Sequence, residues 1–401
     1  MGLPRCRLRR TLMSMASTAA SQALFLLVLV VSATSGGVQA QPIVPAIVSF
    51  GDSTIDVGNN NYLAGAVFKA DYVPYGVNFR RHEATGRFSD GKIVTDITAD
   101  TLGFDRYAPP YLSPQASGKN LLIGANFASA ASSYYDDTAA MYDAITLTQQ
   151  LKYYKEYQSK LAAVAGRAKA RAILSDALYV VSTGTGDFLQ NYYHNASLSR
   201  RYNVDRYCDL LVGIFSNFAN ELYKLGARRI GVTSMPPLGC LPASIRLYGA
   251  KGRGCVARLN RDAETFNRKL NATVRALKTR HADLKIAIFD IYTPLRALAE
   301  APAAQGFVDA KGTCCRTGTE KTRVYLCNPT TAGTCRNATS YVFFDGVHPS
   351  EAANVVIAQS MVDAGIELGK DTGNEGIAPP ILQQHTIDHK NGFLLHGINM
   401  K

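Results

Sequence analysis

"IVSFGDSTIDVGNNN", from Ile47 to Asn61, decides how the chain is read. An apolar run stops at Phe50, and Gly51-Asp52-Ser53 follows at once. The run begins at Pro45, carries Ile and Val, and lacks strict alternation, as a strand covered on both faces does. Ser53 then falls just past the strand's carboxyl end. Three more runs have the same character: "ALYVVSTG" (Ala177–Gly184), "RRIGVTSM" (Arg228–Met235) and "LKIAIFDI" (Leu284–Ile291). "LLIGANFA" (Leu121–Ala128) reads as a fifth strand, or as a strand followed by a loop. Between the runs lie apolar stripes at helical spacing. One is Leu147, Leu151, Tyr154, Gln158 and Leu161; a second is Leu211, Ile214, Phe218, Leu222 and Leu225, ended by Gly226. A third is Leu259, Phe266, Leu270, Val274 and Leu277, and Ser350 is placed to cap a last helix. Strand alternating with helix predicts a parallel sheet with helices on both faces. Such sheets bind ligands at the carboxyl ends of their strands, where Ser53 falls.

The ends of the chain read differently. Arg5, Arg7, Arg9 and Arg10 precede an apolar core, Ala23–Val31, and "VQA" at Val38–Ala40 suits cleavage after Ala40. Residues 1–40 are therefore expected to be a signal peptide, since the apolar run is short of the roughly 20 residues that span a bilayer. Residues 41–370 are expected to form a single domain, and 371–401, which lack periodicity, a C-terminal tail. No second long apolar run predicts a membrane segment in the mature chain. Three sequons, at Asn195, Asn271 and Asn337, agree with export. So do Cys240, Cys255, Cys314, Cys315, Cys327 and Cys335, which an oxidising compartment would pair, although the spacing leaves the connectivity open. Zinc is disfavoured, because paired C-x-x-C spacing is absent and no His lies within the Cys314–Cys335 group. Cys208 reads as a buried free thiol on a helix. The expected destination is extracellular, at the cell wall, with the vacuole or endoplasmic reticulum as alternative ends of the route. The formal charge is +12, and losing the four leader arginines leaves +8. The basic residues are scattered and form no nucleic-acid motif, so an anionic polysaccharide or lipid surface is the expected partner rather than nucleic acid.

A serine hydroxyl attacks a carbonyl only when a base takes its proton, an acid orients that base, and donors hold the oxyanion. "YVFFDGVHPSEAA" sets Asp345 three residues before His348, a spacing that lets the carboxylate reach Nδ1 while Nε2 points outward. Alone, that spacing also fits a surface His at a helix start. The order Ser, Asp, His suits an α/β hydrolase, but the G-x-S-x-G elbow of that fold is missing. There is no H-E-x-x-H and no P-loop, so neither metal nor cofactor is expected.

Taken together, "FGDSTIDVGNNN" and "DGVHPSEAA" resemble the plant GDSL-type esterase/lipase family, within the SGNH hydrolases. "TGRFSDGKIVTDITA" (Thr85–Ala99), "GANFASAAS" (Gly124–Ser132), "MPPLGCLP" (Met235–Pro242) and "CNP" (Cys327–Pro329) extend the resemblance to about Gly369. It implies a three-layer α/β/α flavodoxin-like fold with a central parallel sheet. It also implies Ser53 as nucleophile, His348 as base, Asp345 as its orienting acid, and the backbone N–H groups of Ser53 and Gly124 as oxyanion donors. The family's third donor is an Asn side chain in G-x-N-D, where this chain has Gly184-Thr185-Gly186-Asp187, so Gly186 stands at the oxyanion position without a side chain. The implied activity is hydrolysis of carboxylic esters: acyl lipids, cutin-type esters or cell-wall acetyl esters. An acyltransferase using the same site, or a weakly active lipid- or wall-binding protein, are the alternatives. Asp56 is expected to be a helix-start or turn residue, Asn59–Asn61 to satisfy loop backbone, Arg87 to anchor a loop, and Asp187 to bind loop amides. Phe188, Tyr192 and Tyr193 could line an acyl pocket or simply pack.

Overall fold

A computed structural model describes residues 42–249, 254–319, 323–330 and 333–369; the expected signal peptide and the tail from 371 lie outside the described residues. In chain order the elements are β1 (Ile47–Gly51), α1 (Val94–Thr101), β2 (Gly124–Asn126), α2 (Asp136–Ala140), α3 (Leu147–Ala165), α4 (Arg167–Asp176), β3 (Leu178–Ser182), α5 (Ala196–Arg201), α6 (Val204–Lys224), β4 (Arg229–Thr233), α7 (Pro242–Tyr248), α8 (Ala257–Arg280), β5 (Lys285–Phe289), α9 (Tyr292–Glu300) and α10 (Glu351–Gly369). The four runs read as strands from sequence are β1, β3, β4 and β5, and the three stripes are α3, α6 and α8. Ser350 caps α10, its Oγ accepting from the Ala353 N–H at 3.2 Å.

The five strands are all parallel, in the order β2-β1-β3-β4-β5. Connections leave β1 toward opposite edges, which opens a crevice at the carboxyl ends of β1 and β3. Helix α10 packs on β4, β5, α1 and α9, whereas α8 packs on β5 and α6, and α3 on β1 and α4. These are the two helical layers of a three-layer α/β fold. Phe50 shows why the strand lacks alternation. Its ring stacks on Phe127 at 5.2 Å and meets Tyr154 of α3 and Phe218 of α6 edge-on. Ile47, Val48 and Ser49 are also buried, so both faces of β1 are covered.

One expected strand is shorter than its apolar pattern. Gly118–Ile123 forms a helical turn, and pairing begins only at Gly124. Gly124 sits at φ 105°, and a Cβ there would lie 1.8 Å from the Ile47 carbonyl oxygen. The chain turns this corner and comes beside β1 because residue 124 has no side chain. Three disulfides join Cys240 to Cys255, Cys314 to Cys335 and Cys315 to Cys327. Cys208 is free and buried on α6, where burial pushes its thiol up to about 12. Among the described residues no helix is long and apolar enough to cross a membrane.

Candidate active site

Strand β1 ends at Gly51, whose φ of 147° and close approach to Ser182 exclude a side chain: a Cβ would lie 1.8 Å from the Ser182 carbonyl oxygen. Gln150 of α3 clamps this glycine from both sides. Its Oε1 accepts from the Gly51 N–H and its Nε2 donates to the Gly51 carbonyl, each at 2.9 Å. The next turn is held by Asp56, whose carboxylate accepts from the amides of Gly58, Asn59 and Ala130. Asn59 and Asn60 donate to the carbonyls of Asn126, Ala128, Phe68 and Ala130, as expected of loop-satisfying side chains. These bonds tie the loop after Ser53 to the loop after β2.

Ser53, His348 and Asp345 come together. Ser53 Oγ lies 2.7 Å from His348 Nε2, and His348 Nδ1 lies 2.8 Å from Asp345 Oδ2. Asp345 is fully buried and His348 is 5% exposed, so water does not compete for their hydrogen bond. The Asp-x-x-His spacing works because the segment folds back on itself. The amides of Val347 and His348 both donate to Asp345 Oδ1, at 2.9 and 2.8 Å, and the Phe344 amide donates to the His348 carbonyl. Gly346 permits the tight turn, since a Cβ there would lie 2.1 Å from the Val324 carbonyl oxygen. The ring of Phe88 lies against His348, centroids 4.9 Å apart.

Sequence reading missed the partner of Asp345 Oδ2. Tyr75, 1% exposed, donates its hydroxyl to that oxygen at 2.7 Å and accepts from the Cys327 amide at 3.0 Å. Tyr72 donates to the Cys327 carbonyl. A disulfide-bonded loop therefore backs the acid from behind. No motif signals this contact, because Tyr75 and Asp345 are 270 residues apart.

Gly124 is not brought to the site. It pairs with Ile47 at the start of β1, and the strand runs four more residues, roughly 13 Å, before it ends at Gly51. The parallel register continues past β2, with the Phe127 amide donating to Ser49 and the Ser129 amide to Gly51. That register delivers Ala131, not Gly124, to the level of Ser53. Ala131 adopts φ 71°, a left-handed backbone that a non-glycine residue enters at a cost of about 1–2 kcal/mol. The backbone N–H groups of Ser53 and Ala131 find no acceptor among the described residues. Both residues border one cleft with His348, Gly186 and Gln190. An unpaired amide next to the nucleophile is what an oxyanion requires. The glycine drew attention in the sequence because positive φ favours Gly; here an alanine takes that backbone.

Asp52 is buried beside Ser53, and burial pushes its carboxyl up to about 6 against the opposing pull of the Thr54 amide and of His348. Asp187 accepts from the amides of Tyr134 and Tyr135 and from the Thr138 hydroxyl, as expected for a loop anchor, and burial pushes it up to about 8. Arg87 anchors as expected, forming a bidentate pair with Asp96 at 2.7 and 2.8 Å. Phe188, Tyr192 and Tyr193 pack: they do not border the cleft, which takes Leu189 and Gln190 from the same turn instead. Of the sequons, Asn271 and Asn337 are exposed, whereas Asn195 is half-buried and caps α5 through the Ser197 and Leu198 amides. Among the described residues, no three His, Cys, Asp or Glu side chains converge to hold a metal ion.

A parallel sheet has its crevice at β1, and a serine at that crevice meets a histidine from the turn just ahead of the last helix. Residues 47–361 match the family model of GDSL-like lipases/acylhydrolases, and the chain belongs to that family. It is similar to GDSL esterase/lipase APG of Arabidopsis thaliana, at 56% identity over 81% of this chain and 92% of the relative. GDSL esterase/lipase At5g22810 of the same plant is 53% identical over 82% and 91%. GDSL esterase/lipase At5g03820, also from that plant, is 53% identical over 82% and 93%.

Proposed function

We propose that the chain is a secreted esterase in which Ser53 attacks the ester carbonyl, His348 moves the proton and Asp345 orients His348. Family membership makes it a hydrolase acting on ester bonds. The observation that carries the residue roles is the unbroken Ser53–His348–Asp345 line of 2.7 and 2.8 Å. Ser53 Oγ bonds to the carbonyl carbon while its proton passes to His348 Nε2 and the carbonyl electrons move to oxygen. The free amides of Ser53 and Ala131 hold that oxyanion. Collapse expels the alcohol, which takes the proton from Nε2. Water, deprotonated by the same nitrogen, then releases the acid and restores Ser53.

The apolar part of the cleft wall supports an acyl group of an aliphatic acid as the substrate's reacting half. It includes Val94, Leu241, Ile291, Leu295 and Ile357, all buried and apolar. An acyl lipid or cutin-type ester is therefore the proposed substrate. Disulfides and the leader-like N-terminal sequence support the exported location. The test is hydrolysis of p-nitrophenyl esters from acetate to palmitate, beside Ser53→Ala. Wild-type turnover that rises with chain length and vanishes in Ser53→Ala supports the proposal. Equal rates for the two proteins, both folded, would sink it.

A further inference from the structure

The third oxyanion donor has a vacancy and a candidate. Gly186 borders the Ser53 cleft and offers no side chain. Two polar atoms converge on the space its Cβ would fill: Gln190 Oε1 and Ser133 Oγ, each 2.6 Å from that point. Both are buried, and neither has a hydrogen-bond partner among the described residues. A buried polar atom without a partner costs about 1–3 kcal/mol, and two of them facing one gap call for an explanation.

Helix geometry explains how Gln190 gets there. Gly186 precedes the helical turn Asp187–Tyr192, and Gln190 lies four residues on. Residues i and i+4 share a face, and long helical side chains lean back toward the N-terminus. The Gln190 carboxamide therefore lies over residue 186, where it occupies room a larger residue would take. A half-turn about its last bond exchanges oxygen for nitrogen, which makes the same group an N–H donor.

We propose that Gln190 is a catalytic residue: its side-chain amide donates to the ester oxyanion, as the third donor beside the Ser53 and Ala131 backbone amides, in the space Gly186 leaves open. This rests on the esterase reading of the same cleft. The missing side chain at 186 is then no depletion of the oxyanion site. It makes room for a donor supplied from the next turn. Nothing at Gln190 is consumed: it receives no proton and forms no bond to carbon.

The experiment is a double-mutant cycle on p-nitrophenyl butyrate, with Gln190→Ala, Gln190→Glu, Gly186→Asn and the Gly186→Asn/Gln190→Ala pair. Gln190→Ala should lower kcat by about 100-fold with little change in KM, the usual loss of one oxyanion donor. Gln190→Glu keeps the shape but offers no N–H, and should lose at least as much. Gly186→Asn alone displaces two flexible side-chain ends, exchanges one donor for another, and should stay within about tenfold of wild type. In the Gly186→Asn background, Gln190→Ala should then cost no more than about threefold, since its role is already filled. Equal costs of Gln190→Ala in both backgrounds would overturn the proposal. So would an unchanged kcat in Gln190→Ala, or a loss tracked fully by its thermal melt. A wild type no faster than Ser53→Ala would instead overturn the esterase reading, whatever Gln190 does.

Discussion

Replacing Tyr75 by phenylalanine removes one hydroxyl from behind the acid and leaves the ring packing in place. That hydroxyl donates to Asp345 Oδ2 at 2.7 Å and accepts from the Cys327 amide at 3.0 Å. A hydrogen bond to a charged group contributes about 1.5–3 kcal/mol, and a buried amide left unpaired costs about 1–3. With some relaxation of the Cys327 loop, Tyr75→Phe should lose about 2–4 kcal/mol of stability in urea titrations. Its effect on rate has a different signature. Asp345 keeps both amide bonds to Oδ1, so the carboxylate stays in place. Oδ2 keeps its hydrogen bond to His348 Nδ1 at 2.8 Å but loses the second donor that fixed its direction. His348 should therefore be oriented less firmly, with a fall in kcat of under about tenfold and little change in KM. The assay is p-nitrophenyl butyrate hydrolysis with kcat and KM separated, beside urea melts of both proteins. An unchanged kcat per folded molecule while stability falls would show that Tyr75 only braces the fold.

Three other outcomes follow from particular contacts. Arg87→Met leaves the Asp96 carboxylate, 1% exposed, without its cation, and should cost about 3–5 kcal/mol in denaturant titrations; the rate per folded molecule should hold, because Arg87 does not border the cleft. Asp187 titrates near 8 when folded against 3.8 when unfolded, so the native state binds the extra proton between those values. Its contribution to stability is full below about pH 4 and is lost as the pH rises through 8, by at most about 1.4 kcal/mol per unit; melts at pH 5 and pH 8 read this, and equal midpoints would refute it. Reduction of the buried Cys315–Cys327 bridge should free the Cys327 amide from Tyr75 and lower kcat in step with the thiols released, whereas full activity with both thiols titrated would show that the bridge does not support the acid.

What could be read from the chain without its fold was local. Four strands, three long helices, the cap at Ser350 and the Asp345–His348 turn each depend on side chains a few residues apart, whose spacing is written in the sequence. The loop roles of Asn59 and Asp187 were legible for the same reason: short polar side chains bind loop backbone. The family pattern also placed Ser53 and His348 in one site, although 295 residues separate them. Register and long-range contact lay beyond this reach. A pairing that begins at Ile47 and Gly124 sends Ala131, rather than Gly124, to the nucleophile, and no propensity encodes which residue of a loop ends up opposite Ser53. The Gln150 clamp, the Tyr75 bond to Asp345, the pairing of the cysteines and the convergence of Gln190 and Ser133 over Gly186 likewise exist only once distant segments are packed. Local pattern determined which elements form and which residues can do chemistry. Tertiary packing decided which of them meet, because the free energy that fixes a register comes from burying whole faces together.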